Sequence, residues 1–286
     1  MSAKKKIYLT CEDYTVSNKK FDLLYNSAFE MLETFPKPIG EELASYYESE
    51  NYISHTDSKK SFTDKLYQIV KKVALKNKLK LINSFKTTQK TILDIGCGTG
   101  DFLLMCKKNG WNVTGVEPNI KAKKIADKKL SLTNSPVLYS ELKEIKSQRF
   151  DVITLWHVLE HVPDLEVYLL KIKTMLKPNG ILLVAVPNYK SYDAYYYKHF
   201  WAAFDVPRHL WHFSKTAIQK LFLKQQMNVV NMLPMKFDSF YVSLLSEKYK
   251  TGKSNFIKAF YVGLLSNLKA LKSKEYSSLI YIIKKT

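Results

Sequence analysis

A glycine-rich turn between a short apolar run and a helical stretch carries the strongest chemical signal in the chain. Gly96, Gly98 and Gly100 have the spacing GxGxG, which differs from the GxGxxG of dinucleotide-binding turns. Asp94 precedes the first glycine by two residues. Glycines let a ligand approach the backbone closely, and a carboxylate beside them suits a cation but would repel a pyrophosphate. The pattern therefore indicates a site for a cationic ligand, such as a sulfonium with a free amino group.

A second carboxylate supports a nucleoside-like ligand. Glu117 ends the next short apolar run, 23 residues after Asp94. A carboxylate at the end of the second strand can accept hydrogen bonds from both hydroxyls of a ribose. The alternative is that the glycines only form a tight turn between strand and helix. That alternative accounts poorly for the glycine spacing and the two carboxylates together.

Histidines are concentrated in one stretch, where five of the six in the chain lie between residues 157 and 212. His157 and His161 are one helical turn apart if their segment is helical, and Glu160 adjoins His161. Histidine suits proton transfer near neutral pH. His161 is therefore a candidate general base oriented by a carboxylate. The alternative is that the Glu-His pair only caps and braces the loop.

An aromatic segment, residues 192–213, contains nine aromatic side chains in 22 positions. Arg208 and His209 lie inside it, and Arg208 is one of only two arginines in the chain. We interpret the segment as a substrate lid in which Arg208 grips an anionic group of the substrate. The alternative is that the aromatic rings pack as a second core. Together with His157 and His161, Arg208 and His209 are the candidate catalytic residues.

Alternating strands and helices must position these residues. The predicted strands are 92–95, 113–116, 137–139, 150–156 and 181–186, and the predicted helices between them are 101–108, 120–129 and 164–176. Unbroken apolar strands that alternate with helices predict a parallel sheet covered on both faces. A helix at 216–224, a strand at 228–232, two helical stretches and a strand at 278–283 are expected to follow.

Several segments resemble the class I S-adenosylmethionine-dependent methyltransferases. They are LDIGCGTGD at 93–101, VTGVEP at 113–118, FDVI at 150–153, LEH at 159–161 and LKPNGI at 176–181. The resemblance implies an α/β, Rossmann-like fold with a seven-stranded, mostly parallel sheet and helices on both faces. It implies S-adenosylmethionine as cofactor, and its position-by-position match gives the expected cofactor-binding residues: Asp94, Gly96, Cys97, Gly98, Gly100, Glu117, Pro118, Glu141, Leu142 and Trp156.

The implied activity is methyl transfer to an oxygen or nitrogen nucleophile of a small or medium-sized metabolite. The alternatives are an RNA or protein methyltransferase and a cofactor-binding protein without turnover. Within the family, WHVLEHV at 156–162 resembles the subgroup of ubiquinone-biosynthesis O-methyltransferases and their relatives. That subgroup resemblance also allows a divalent metal on His157, Glu160 and His161, but no metal is assigned here.

The resemblance also suggests how the chain divides. Residues 8–38 are similar to a front module that carries a zinc ribbon in some relatives, but Cys11 has no paired cysteine beside it. We therefore expect residues 1–60 to form a small, degenerate, zinc-free cap. Residues 61–89 are expected to be a linking helix and residues 90–286 the methyltransferase domain.

Composition limits the other classes of protein. The 286 residues are 46% hydrophobic and 25% charged, which is typical of a globular chain. We expect a soluble cytoplasmic protein for three reasons: the three cysteines are scattered, no apolar segment follows the basic start, and the sequence has no long apolar run. The net charge is +19, yet almost all the cations are lysines, so nucleic acid is not favoured as a partner.

One helical stretch raises the question of a membrane. Residues 256–272 carry most of their apolar side chains on one face and lysines mostly elsewhere. A weak contact with an anionic membrane surface is one interpretation of this pattern. The other is that the helix packs its apolar face on the domain.

Overall fold

The computed structural model describes residues 6–47, 62–130 and 137–286. By their contacts, these residues form two units. One unit comprises described residues within 1–49, 157–166 and 185–282, and the other comprises those within 50–156, 167–184 and 283–286. None of the described helices is long and apolar enough to cross a membrane.

Strands and helices alternate along most of the chain. The strands are β1 (Lys6–Glu12), β2 (Lys20–Asn26), β3 (Met31–Phe35), β4 (Thr91–Ile95), β5 (Asn112–Val116), β6 (Val137–Tyr139), β7 (Phe150–Trp156), β8 (Leu176–Pro187), β9 (Trp211–His212), β10 (Met227–Pro234) and β11 (Ser278–Lys285). The helices are α1 (Gly40–Ser45), α2 (Phe62–Asn83), α3 (Asp101–Lys108), α4 (Ile120–Leu130), α5 (Leu165–Met175), α6 (Tyr192–Tyr197), α7 (Lys215–Lys224), α8 (Asp238–Thr251) and α9 (Phe256–Ser273).

Seven strands form the large sheet in the order β10-β11-β8-β7-β4-β5-β6. The strand β4 pairs in parallel with β5 and β7, and β5 pairs in parallel with β6. All seven side chains of β7 are buried, as expected for a strand covered on both faces of a parallel sheet. The predicted α/β fold with a seven-stranded sheet is therefore confirmed, and each predicted strand is present.

The N-terminal strands form a second, four-stranded sheet in the order β1-β2-β3-β9. The strand β9 belongs to the aromatic segment, and it pairs antiparallel with β3 through Leu32 opposite His212 and Glu33 opposite Trp211. Residues 6–47 thus share a unit with the aromatic segment. The division at residues 60 and 90 stays a prediction.

The aromatic segment packs as a core, which is the alternative to the lid that we favoured from the sequence. Tyr197 is 1% exposed, Trp201 2% and Phe204 3%. These rings belong to one cluster with apolar side chains of the N-terminal strands, including Phe21 and Leu23. Polar ring atoms are also satisfied, since Trp201 Nε1 donates a 2.7 Å hydrogen bond to a carboxylate of α6. Burial and these hydrogen bonds hold the rings in fixed positions, as in a core. A mobile lid would not need its rings to be held in this way.

Candidate functional site

The glycine turn joins the end of β4 to the start of α3. Gly96, Gly98 and Gly100 have φ angles of 71°, 55° and 77°, in the left-handed region that favours glycine. A Cβ on Gly98 would meet no atom within 4 Å, whereas one on Gly100 would lie 3.0 Å from the Cβ of Ala126. The turn is therefore packed against α4 at Gly100 and open at Gly98, where a ligand can approach the backbone.

Glu117 faces this turn from the end of β5. Its Oε2 accepts a 2.7 Å hydrogen bond from the Gly98 amide, and its Oε1 accepts a 2.9 Å bond from the Asn119 amide. Burial raises the pKa of this carboxyl, and the two amide donors oppose that effect. Each carboxylate oxygen can accept a further hydrogen bond. The carboxylate is thus held by two amides, with one acceptor site left on each oxygen for a ligand.

Asp94 lies deeper, on β4. Thr154, its neighbour on β7, donates a 2.5 Å hydrogen bond from Oγ1 to Asp94 Oδ1. Burial raises the pKa of Asp94 to about 7, although the Thr154 bond and the charge of Lys78 lower it. A cationic ligand beside this carboxyl would favour its charged form. Asp94 is therefore poised to respond to the positive end of a ligand.

Lys78 is a residue of this unit that the sequence did not single out. It lies on α2, and its Nζ is 4.3 Å from the centroid of the Trp156 ring. Phe102 meets the same ring edge-on at 5.8 Å. The indole Nε1 of Trp156 is buried and has no hydrogen-bond partner. Lys78 thus supplies a positive charge that acts on Asp94. The sequence did not indicate this role, because Lys78 is one of several lysines spaced regularly along α2.

The other predicted cofactor residues divide by exposure. Cys97 is buried, and burial raises the pKa of its thiol. Pro118 is exposed directly after Glu117. Glu141 is also exposed, and it forms a capping box with Glu144 at the start of a short 3-10 helix. Leu142, the first residue of that helix, is buried.

In the unit that contains the aromatic segment, His157 lies between two carboxylates. Its Nδ1 is 3.3 Å from Glu160 Oε1, and its Nε2 is 3.1 Å from an oxygen of Asp238, the first residue of α8. Burial lowers the pKa of the imidazole, but the two carboxylates outweigh it and raise the pKa to about 10. His157 is therefore a cation at neutral pH. A protonated ring with both nitrogens engaged can neither accept a proton nor bind a metal.

His161 has the opposite character. Its Nδ1 lies 2.9 Å from Tyr47 Oη and 3.1 Å from the carbonyl oxygen of Arg208. A carbonyl oxygen only accepts hydrogen bonds, so we place the proton on Nδ1 and the lone pair on Nε2. Burial lowers the pKa of His161 to about 4, which keeps the ring neutral. Of His157 and His161, the latter is the one with a nitrogen able to accept a proton.

Arg208 is engaged within the protein. Its Nε donates a 3.0 Å hydrogen bond to Asp205, and its Nη2 donates to the other oxygen of the same carboxylate. Asp13 lies 3.6 Å from Nη2, and Arg208 is 4% exposed. A cavity beside the guanidinium has a volume of about 10 Å³, which is room for about one water molecule. The planar fork predicted for a substrate anion is thus bound to Asp205.

His209 approaches His161 in the same unit. Their ring centroids are 4.6 Å apart, and His209 Nδ1 lies 2.9 Å from the Ala203 carbonyl oxygen. Glu160, His161 and His209 each offer a ligand atom within 4.8 Å of the others. Both oxygens of the buried Glu160 carboxylate lack a hydrogen-bond partner, with the His157 ring as the nearby cation. The donor cluster of this unit therefore includes His209 in place of His157.

The chain matches the sequence model of a methyltransferase domain over residues 67–231. It belongs to this methyltransferase family. It is also 39% identical, over 113 residues, to a ubiquinone biosynthesis O-methyltransferase of Rhodopseudomonas palustris (strain HaA2); the match covers 35% of this chain and 42% of that protein. The chain thus spans less than half the length of the curated relative.

Solved structures show the same fold. The magnesium protoporphyrin IX methyltransferase of Synechocystis PCC 6803, with SAH bound, aligns at a TM-score of 0.57 and 13% identity, over 86% of this chain and 100% of that one. The cyclopropane synthase MmaA2 of Mycobacterium tuberculosis aligns at a TM-score of 0.55 and 14% identity, over 88% and 100%. The sequence model confirms the expected methyltransferase family and, with it, the S-adenosylmethionine cofactor, and the solved structures confirm the expected class I fold.

Proposed function

We propose that this methyltransferase moves the methyl group of S-adenosylmethionine to an oxygen or nitrogen nucleophile of a small or medium-sized metabolite. The observation that carries the proposal is the cradle in which Glu117 is fixed on the Gly98 amide beside an open glycine turn. When bound, S-adenosylmethionine supplies a methyl group already activated on a sulfonium. The protein then contributes mainly the positioning of the reactants.

The residues of the cradle fit the cofactor by charge. Glu117 would accept the ribose hydroxyls through the free acceptor sites on its two oxygens. Asp94, with a pKa of about 7, would face the positively charged methionyl end. Lys78, whose charge already acts on Asp94, would pair with the carboxylate of the same methionyl group. Trp156 and the exposed Pro118 would flank the remaining apolar surface of the cofactor.

On the acceptor side, we assign proton removal to His161. A hydroxyl or amine acceptor must lose a proton as its lone pair forms the new bond to carbon, and Nε2 of the neutral His161 is the acceptor for that proton. The name of the curated relative supports oxygen as the acceptor atom. His157, as a fixed cation, and Arg208 and His209, through their bonds within the unit, would position His161 rather than touch the reacting atoms.

The test is the release of S-adenosylhomocysteine from the purified protein across a panel of hydroxyl- and amine-bearing metabolites. We expect turnover with at least one hydroxyl compound and a loss of roughly 10²-fold in kcat for His161→Gln. His199→Gln is the matched control, because His199 is an exposed histidine of the aromatic segment, in the short 3-10 helix Lys198–Phe200, and is not a member of the cluster. Equal turnover by both variants would remove His161 from the proposed role.

A further inference from the structure

The helix α9 has its side chains distributed opposite to the usual pattern. Its buried positions hold small residues, namely Ala259, Val262, Gly263, Ser266 and Ala270. Its exposed positions hold large apolar ones, namely Phe256, Ile257, Phe260, Tyr261, Leu264, Leu268 and Leu271. Ile257 is 86% exposed and Phe260 61%. A soluble surface helix normally buries its large apolar residues, so this distribution requires a separate explanation.

The exposed apolar residues form one continuous stripe. At 3.6 residues per turn, the seven positions fall within an arc of about 140° on the helix surface. We call this stripe the apolar face of α9. Lys258, Lys269 and Lys272 occupy the adjoining arc, between this stripe and the buried small residues. The segment from residue 253 to 274 contains five lysines and no acidic residue.

The packing of α9 on α8 fixes which side of the helix is turned inward. A Cβ on Gly263 would lie 2.8 Å from the ring of Phe240 and 3.0 Å from its backbone. The Gly263 carbonyl accepts a 3.1 Å hydrogen bond from Ser239 Oγ, and Ser266 Oγ donates a 2.6 Å bond to Asp193. The close approach of α9 to α8 therefore requires small residues on this side of α9. The helix cannot rotate to bury its large side chains without losing these contacts.

We propose that the apolar face of α9 docks on an anionic lipid bilayer, with the helix lying in the plane of the interface. An amphipathic helix with aromatic and aliphatic residues on one face and lysines beside them binds such a surface by burying the apolar side chains among the headgroups. The adjoining lysines then meet the negative potential of the lipids. Tyr261 adds an aromatic ring of the kind that membrane interfaces favour, and Phe256 and Phe260 add apolar area to the same face.

Charge favours the bilayer over a second copy of the chain. A two-fold symmetric contact through this face would place the same patch against itself. The lysines beside the face would then oppose one another. Lys258 has Glu247 at 3.9 Å and Lys269 lies over the Tyr192 ring, but the 253–274 segment contains no acidic residue to pair with Lys272. An anionic surface complements the same lysines. This proposal concerns where the enzyme binds and does not depend on the methyl acceptor.

The test is co-sedimentation of the full chain with vesicles of phosphatidylglycerol and phosphatidylcholine, compared with vesicles of phosphatidylcholine alone. We expect binding to the anionic vesicles that weakens with added salt. Ile257→Glu should weaken it by roughly tenfold or more, because an exposed apolar anchor becomes a negative charge. Lys272→Glu should weaken binding to the anionic vesicles and leave any binding to phosphatidylcholine vesicles unchanged. Leu223→Glu is the matched control, since Leu223 is 63% exposed on α7, outside the apolar face.

Three results would overturn the proposal. The first is no sedimentation of the wild-type chain with anionic vesicles at low salt. The second is equal binding by Ile257→Glu and Leu223→Glu, with both variants shown to be folded by their melting curves. The third is concentration-dependent dimerisation that Ile257→Glu abolishes while vesicle binding stays absent, which would assign the face to a second copy of the chain.

Discussion

Replacing Arg208 with methionine tests whether the aromatic segment is a structural core. Methionine keeps most of the length of the side chain and removes its charge. Asp205 would lose both hydrogen bonds from the guanidinium, and Asp13 would lose the cation 3.6 Å away. Breaking a buried ion pair by removing one partner costs about 3–5 kcal/mol. Asp205 retains some contact with water, so we expect a value near 3 kcal/mol.

The assay is thermal melting followed by circular dichroism at pH 7. For a chain of this size, a loss of about 3 kcal/mol lowers Tm by roughly 6–12 °C. Arg208→Lys should fall between the wild type and Arg208→Met, because lysine keeps the charge and loses the planar fork. Arg149→Met is the control at the only other arginine, which is exposed, and it should melt within about 2 °C of the wild type.

Cofactor affinity separates the core from a substrate lid. Measured well below Tm, the affinity of Arg208→Met for S-adenosylhomocysteine should stay within about twofold of the wild-type value, because Arg208 bonds to carboxylates of its own unit. An unchanged Tm combined with a raised Michaelis constant for the acceptor would refute this reasoning. That result would restore the interpretation in which Arg208 grips an anionic substrate.

Three further predictions follow from the same structure. The pKa of His157 is raised from 6.5 to about 10, so its stabilising contribution is complete below pH 6.5 and is lost as the pH rises through 10. Tm should therefore fall between pH 7 and 10, and less steeply in Asp238→Asn; parallel curves would contradict the pairing. If His161 is the base, kcat should stay level from pH 8 to 6 and fall only near pH 4, whereas a midpoint near 6.5 would point to another group. Gly115→Ala should lower the free energy of unfolding by roughly 1–3 kcal/mol in urea, since its Cβ would lie 2.5 Å from Leu138 Cδ2; no change would mean that the strand shifts freely there.

The sequence predicted the large sheet and the glycine turn because both depend on local patterns. Short apolar runs followed by helical stretches gave every strand of the sheet, and the boundaries of α3 matched at residues 101 and 108. The turn at Gly96–Gly100 could be identified from spacing alone. Glu117 could be placed because it ends a strand adjacent to that turn in the sheet. In each case, neighbours in sequence decide the structure.

Contacts between distant segments could not be predicted in this way. The aromatic segment favours a lid when its composition and its place after a strand are considered alone. The strands that bury it lie some 170 residues earlier, as the 175-residue separation of Thr34 and His209 shows. Asp13 beside Arg208 follows β1, and Tyr47 beside His161 follows α1, so both are also distant in sequence from the residues they contact. Lys78 could not be singled out, because lysines recur regularly along α2. These partners are set by tertiary packing, which a single sequence pattern does not encode.

Calorimetric titration of the purified chain with S-adenosylhomocysteine tests the cofactor cradle most directly. We expect binding of S-adenosylhomocysteine and S-adenosylmethionine, and none of NAD. Glu117→Gln should weaken the binding by about 1.5–3 kcal/mol, because a charged acceptor for the ribose hydroxyls is lost. Glu166→Gln, an exposed glutamate on α5, should bind as the wild type does. Binding of NAD without either sulfur ligand, or unchanged affinity in Glu117→Gln, would contradict the account of this site.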